Sequence, residues 1–385
     1  MNIQFLITYL ILFLCCIVTS AQTTISVHNP TNMQRHELIT VSLDDLPDEA
    51  FVIRDSNGKE IETQEIDNNL LLIEVSVQPH QTALYHTEMA TPTERPSLVN
   101  GQMYTIRKDD IAWENDLCAY RIYGPALQKS GERAFGIDVW VKNTSEPVVA
   151  ARYAADFSGN LIEDSLRKAG KHEEANYINR ITSFHIDHGN GMDVYGVGPS
   201  LGCGAPALII DGKMKMPYCY TSYKITDNGP LRVSIELDYA DGEHRVISLD
   251  KGSHFNEMRV WYDNIPSKSN VSLAAGIVLH DNNKPILGNS YVCYADPTED
   301  GGHYSQIFVA TLFPFNNVKT CTITDEMPHA IGIVDKYKGE PVTYYFGAAW
   351  SNYDIHTLPE WQLRAELFIK AKQNPLKVKI KKHKR

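Results

Sequence analysis

Short runs that alternate apolar and polar residues constrain this chain more than any other feature. In Leu231 to Tyr239, the residues Leu231, Val233, Ile235 and Leu237 fall on one side of an extended backbone, and Arg232, Glu236 and Asp238 on the other. Within Ala134 to Lys142 the apolar set Phe135, Ile137, Val139 and Val141 leaves Asp138 and Trp140 together on the opposite face. In Ala119 to Tyr123, Arg121 shares a face with Tyr123; in His254 to Tyr262, His254, Asn256 and Tyr262 alternate with Glu257, Arg259 and Trp261. A helix repeats its faces every 3.6 residues and cannot satisfy a period of two. The expected fold is therefore all-β. Strands with one apolar face and one polar and aromatic face predict a large antiparallel β-sandwich with one sheet solvated and concave.

With 385 residues the chain can bury more than one core. From Thr23 to about Pro96, β-branched runs at Leu38 to Leu43, Phe51 to Ile53 and Leu70 to Val77 are broken by turn signals at Asp44-Asp45, Ser56-Asn57-Gly58 and Asp67-Asn68-Asn69. This spacing predicts a small N-terminal β-sandwich over 22–98, followed by the large one over 99–385. The prolines of Thr91-Pro92-Thr93-Glu94-Arg95-Pro96 bar helix and stiffen the link between them. One stretch departs from strand spacing. Leu161 to Tyr177 sets Leu161, Ile162, Leu166 and Ala169 near helical intervals among many charges, which predicts an exposed excursion after a strand ending at Ser158-Gly159-Asn160.

Leu6 to Val18 is an almost unbroken apolar run, too short to span a bilayer, and Thr19-Ser20-Ala21 places small residues before Gln22. It reads as an export leader cleaved near Ala21, which puts the mature chain in the periplasm or outside the cell with no remaining membrane span. Cys15 and Cys16 follow Phe13 and Leu14 rather than small residues, so lipid attachment ranks second. Removing the leader leaves Cys118, Cys203, Cys219, Cys293 and Cys321. That odd number, at spacings matching no zinc pattern, points to isolated thiols with room for one pair rather than to a disulfide framework. The formal net charge is -11, yet the segment from Lys370 onward carries eight Lys or Arg and no acid. About -19 thus falls on the rest of the chain, a poor partner for nucleic acid. In that basic tail Leu376, Val378 and Ile380 alternate with Lys377, Lys379 and Lys381, the pattern of an edge strand guarded by lysines.

Ser183 to Ile210 gathers His185, Asp187, His188, Asp193 and Tyr195 among glycines at 189, 191, 196, 198, 202 and 204. Such glycine density implies a shaped loop or a close backbone approach. Phe184 and Ile186 alternate with Ser183, His185 and Asp187, so a strand is expected to deliver His185 and Asp187 to a sheet surface, with the loop beginning at His188. An imidazole, an orienting acid and a phenol make a general acid and base set, since His titrates near neutrality. Asp187, His188 and Asp193 are also the residue types for a divalent cation, although no metal-ligand spacing is met, and no other cofactor is indicated. Three further groups carry candidates. Glu114, Asn115 and Asp116 precede Arg121 and Tyr123, and a guanidinium can clamp a carboxylate bidentately; the same acids can instead cap a turn or pair with Arg121. Asp138 lies beside Trp140, a plate for an apolar sugar face. His254 stands in Gly252 to Glu257, with Tyr223 and His280 as neighbours to consider. No G-x-S-x-G elbow is present, and nothing local favours a thiolate at Cys203, so serine or cysteine hydrolase chemistry is disfavoured.

WENDLCAYRIYGPAL, GIDVWVKN, the FHIDHGNGMDVYGVGPSLGCGAPAL run, NGPLRVSIELDY and KGSHFNEMRVWY, in that order, resemble an uncharacterised family of exported bacterial proteins met beside enzymes that degrade uronate-rich plant or algal polysaccharides. The likeness runs from the Asn29-Pro30 region to about Tyr294. It implies a carbohydrate partner and a fold akin to the large sandwiches of sugar mutarotases and some polysaccharide lyases. An exported enzyme acting on pectin- or ulvan-like oligosaccharides is the resulting expectation, with a non-catalytic glycan binder as the alternative. β-Elimination would use Arg121 or Asn115 on the uronate, His188 or His185 as base and Tyr195 as acid. Hydrolysis would use Glu114 or Asp116 with Asp138 or Asp193.

Overall fold

The strands that open the chain build a small sandwich, and the strand that ends it returns there. The computed structural model describes residues 22–281, 283–298, 303–315, 318, 320–324 and 328–383; the leader, with Cys15 and Cys16, lies outside them. Lys377–Lys382, Thr23–His28, Thr82–Met89, Phe51–Asp55 and Glu60–Ile61 form a five-stranded sheet in that order, facing a three-stranded sheet of Arg35–Ser42, Leu70–Val77 and Thr63–Ile66. Alternate residues of both sheets, among them Ile25, Val27, Ile39, Ile53, Leu71 and Ile73, close the core between them. The lysine-rich tail is the edge strand that its pattern predicts. It pairs antiparallel with Thr23–His28, setting Ile380 against Ile25 and Val378 against Val27. Residues 377–382, assigned by their position to the second unit, thus complete the first sheet, because Val378 and Ile380 extend the apolar face that Ile25 and Val27 begin.

The strands of the larger part pair antiparallel, beside an isolated parallel bridge between Ile137 and Gly202. An eight-stranded sheet contains, in spatial order, Ser222–Asn228, Arg232–Asp238, Glu243–Asp250, Phe255–Tyr262, Val342–Trp350, Ile307–Leu312, Tyr291–Asp296 and Ile286–Leu287. It shares one apolar core with two five-stranded sheets. Asn100–Tyr104, Asp110–Glu114, Cys118–Ile122, Ile137–Val141 and Met192–Asp193 make one of these, contributing Trp113, Tyr120 and Val139 to the core. The other is built from Lys213–Lys215, Cys203–Ile210, Val271–Val278, His329–Val334 and Thr320–Ile323, contributing Ala205, Leu273 and Ile331. Cys118, Cys203 and Cys293 are buried free thiols.

Helices cover two of the outward faces, whereas strands of the eight-stranded sheet keep Lys224, Glu236, Asp238 and Arg259 exposed. Val149–Lys168 (α1) and His172–Thr182 (α2) form a hairpin over the sheet that contains Cys118–Ile122; Val149, Tyr153 and Phe184 pack on Tyr104, Ala112, Ala119 and Trp140. Leu358–Gln373 (α3) lays Trp361, Ala365 and Ile369 on Phe255, Phe308, Ala310 and Tyr345 of the eight-stranded sheet. The helical reading of 161–177 therefore caught only part of a longer hairpin. Gly159, taken as the end of a strand, lies inside α1, where a Cβ would collide with the Thr182 side chain of α2. Ser183 to Asp187 is a turn, not a strand: Phe184 inserts under the hairpin, its ring stacked 5.0 Å from Trp140. None of the described helices is long and apolar enough to cross a membrane.

The glycine-rich stretch does make a close backbone approach. At Gly191, with φ of +100°, a Cβ would strike the Val141 carbonyl; at Gly202, with φ of +58°, it would strike that of Ile137. The loop thereby lies flush against the strand Ile137–Val141, which places Asp193 and Tyr195 on opposite sides of the sheet.

Candidate functional site

The expected residues divide between two places. On the outward face of the sheet containing Cys118–Ile122, Arg121 stands opposite Asp138 in the strand register, and Asp193 opposite Trp140. The Arg121 Nη2 donates to Asp138 and, at 2.9 Å, to Asp193 Oδ2. All three are buried beneath the hairpin, and the guanidinium lies between the rings of Tyr123 and Trp140 at 5.0 and 5.7 Å. Burial pulls Asp138 toward protonation, and Arg121 opposes it. Asp110 on the neighbouring strand is pushed up to about 6 by burial, against the pull of Arg121; its Oδ1 accepts from Gly124 N, while Oδ2 has no partner. This is an internally compensated ionic cluster. Its arginine is buried and donates through Nη2 to both carboxylates, while Nε and Nη1 have no hydrogen-bond partner.

His185 is the member of this group that meets solvent, with 54% of its side chain exposed. Its Nδ1 bonds the Asp193 carbonyl at 2.7 Å. The rest of the loop spends its polar atoms on itself and on Arg152 of α1, which donates to the Ile186 carbonyl and to Asn190 Oδ1. Asp187 Oδ1 accepts from Gly189 N and Gly191 N at 2.8 and 2.9 Å, and His188 Nε2 lies 3.0 Å from the Ser183 carbonyl. Asp187, His188 and Asp193 therefore do not converge on a cation, and no group of three or more acids, histidines or cysteines among the described residues does so.

Other candidates hold the scaffold together. Glu114 accepts from Lys142 Nζ at 2.9 Å and from the backbone N–H groups of Val148 and Val149, so it caps α1 from the sheet. Asn115 donates to the carbonyls of Asp250 and Ser253, both at 2.7 Å, and Asp116 accepts from Gly252 N at 2.7 Å. His254 is buried edge-on against Trp361 of α3, with Nε2 2.9 Å from Asp354. Burial works to raise Asp354, and the His254 contact overcomes it, holding the carboxyl below its ordinary range. Tyr223 sits exposed on the outermost strand of the eight-stranded sheet, its ring 5.7 Å from Tyr220. A strand pattern shows which residues share a face, but it cannot show that a helix distant in sequence will roof that face.

The second place is the rim of the sandwich, beyond the end of Val271–Val278. There Tyr195, expected to work with His185 or His188, stands edge-on to His280 instead, ring centroids 5.6 Å apart at 76°. His280 Nδ1 lies 2.5 Å from Asp296 Oδ2, and Asp296, fully buried, also accepts from Thr298 N at 2.9 Å. Tyr294 donates its hydroxyl to Asp281 and accepts from the N–H groups of His280 and Asp281. The His280 side chain is 28% exposed, whereas the Tyr195 hydroxyl is buried without a hydrogen-bond partner, and burial holds its pKa well above the ordinary phenol value. A carboxylate that fixes an imidazole's tautomer, with a phenol against the ring, can move protons. Sequence reading missed Asp296. The available signal was that Val292, Tyr294 and Asp296 share one face, which puts a carboxylate at the inward end of a core strand.

The sequence profile of a family described only as a domain of unknown function, DUF4861, matches residues 27–378. The chain belongs to the DUF4861 family. An uncharacterized protein, P7, of Formosa agariphila is 26% identical to this DUF4861 chain over 405 residues, covering 95% of each. Among solved structures, a glycosyl hydrolase family 38 protein of Enterococcus faecalis superposes with a TM-score of 0.53 at 8% identity, over 94% of this chain and 47% of that one. An alpha-mannosidase of Enterococcus faecalis gives 0.50 at 9% identity, over 94% and 46%. The DUF4861 chain thus spans about half the length of these proteins. At such identities the likeness is one of fold, a mostly-β architecture found within carbohydrate-active proteins.

Proposed function

We propose that this DUF4861 protein is an exported enzyme that processes glycans, with uronate-containing oligosaccharides as its substrate class, and that the rim around His280 is where it acts. The observation that carries the reading is the buried Asp296 bound to a partly exposed His280, with the Tyr195 ring edge-on to the same imidazole and its hydroxyl buried without a partner. Asp296 accepting from Nδ1–H selects the tautomer that carries its lone pair on Nε2, the nitrogen suited to take a proton. In elimination, that proton comes from the carbon beside the uronate carboxyl, the glycosidic carbon–oxygen bond breaks as a ring double bond forms, and Tyr195 protonates the departing oxygen. Hydrolysis is less well served, because Glu114, Asp138 and Asp193 are engaged in internal ion pairs.

One observation favours a second reading, binding without cleavage. Arg121 and Asn115, the groups expected to neutralise the uronate, are both committed inside the protein. Incubation of the purified protein with pectin- and ulvan-derived oligosaccharides separates the outcomes. Ultraviolet absorbance from an unsaturated uronate supports elimination, new reducing ends without it mean hydrolysis, and retention without product means a binding protein.

A further inference from the structure

A second cavity, of about 310 Å³, opens at the other end of the sandwich. Leu208 on its wall stands opposite Leu273, and His280 lies seven residues further along that chain, on the order of 20 Å away at the rise of a strand. The rings of Phe135, Tyr218, Tyr239 and Tyr262 line it. Phe135 and Tyr218 sit 5.7 Å apart, tilted by 48°, and Tyr218 is 56% exposed at the mouth. Glu243 supplies a buried carboxylate to the wall, and Arg245, fully buried behind it, donates to that carboxylate while its guanidinium covers the Tyr239 ring at 4.2 Å. Lys215 and Asp241, the other charged residues of the lining, pair with each other.

Each charge at this cavity is therefore matched by a neighbour. An ionic ligand would find no uncompensated counter-charge, and an entirely apolar one would offer no donor to the acceptor sites of the Glu243 carboxylate that Arg245 does not occupy. Aromatic plates beside a charge-balanced acceptor suit a ligand with an apolar C–H face and several hydroxyls. We propose that this cavity is a binding site for a neutral pyranose, separate from the His280 rim, with Tyr218 stacking on the sugar ring and Glu243 accepting from its hydroxyls. The inference rests on the reading of the protein as glycan-processing, and it adds that the chain engages an uncharged sugar unit as well as an acidic one.

Saturation-transfer NMR on the full-length mature chain, with methyl xyloside, methyl rhamnoside and methyl glucuronide as probes, tests this. Transfer to the ring C–H protons of at least one neutral glycoside is expected. Tyr218→Ala should weaken the response about fivefold, the size of one lost aromatic stack, with an unchanged melting temperature because Tyr218 is largely exposed. His280→Ala should leave it intact. No transfer to either neutral glycoside, an undiminished neutral-glycoside signal in Tyr218→Ala, or a neutral-glycoside signal abolished by His280→Ala would each overturn the proposal. Oligosaccharide turnover is read separately. Pocket binding without turnover removes the enzyme reading and keeps this one, and turnover without pocket binding does the reverse.

Discussion

The outward face around Arg121 and the rim around His280 hold the same kinds of side chain, yet one is sealed and the other meets water. On the first, the α1–α2 hairpin roofs Arg121 together with the two carboxylates it pairs with, Asp138 and Asp193, and Asp110 lies on the neighbouring strand. At the second, a buried carboxylate holds an imidazole at the surface, and a phenol beside it has no internal partner. Composition therefore does not separate a structural ionic cluster from a proton-transfer group; coverage does. The sealed face should respond to substitution through stability, and the rim through turnover.

The sharpest break between the two regions is expected from Asp138→Ala. Removing one carboxylate leaves Arg121 buried with Asp193 alone, which should cost about 3–5 kcal/mol. Urea unfolding should show a lower midpoint at an unchanged slope. A shift like that of a surface substitution would mean that the hairpin does not seal this face.

Asp110 sharpens the comparison through pH. Its folded pKa, about 6, lies above the ordinary 3.8, so the folded state holds the proton more tightly than the unfolded chain does. The associated stability is fully present below about pH 3.8 and is lost as pH rises through 6, about 3 kcal/mol in all as an upper figure. Asp110→Asn, which can still accept from Gly124 N, should match wild type near pH 4 and melt higher at pH 7.5. Parallel melting profiles would contradict this.

Tyr195→Phe should act in the opposite sense to a scaffold mutation. Deleting a buried hydroxyl that has no partner should raise stability by about 1 kcal/mol, while turnover of acidic oligosaccharides falls. A residue serving packing alone would show the first effect without the second. The smallest change is expected at His185→Ala: within about 0.5 kcal/mol of wild type in stability, and with full turnover.

The strands were legible because their alternation is local. Val233, Ile235 and Leu237 declare their face without reference to the rest of the chain. The cover was less legible. The α3 boundary was written in Thr357 and Glu360, which cap each other reciprocally ahead of Trp361, Ala365 and Ile369, but a dominant period of two drew attention away from it. Arg121, Asp138 and Asp193 fall in three separate groups of the sequence, and their meeting on one face is set by strand register and by roofing under α1 and α2, both tertiary events. His280 and Asp296 are 16 residues apart, on segments whose meeting is set by sheet order rather than by any motif.

Parallel assays of His280→Ala and His185→Ala on an ulvan-derived oligosaccharide, followed by ultraviolet absorbance, bear most directly on the division between rim and sealed face. The rim assignment predicts a loss of about 10²–10⁴-fold in turnover for His280→Ala, beside the lower melting temperature expected when the buried Asp296 loses its imidazole partner, and wild-type turnover for His185→Ala. Full activity in His280→Ala together with its loss in His185→Ala would return the chemistry to the glycine-rich loop and contradict the account.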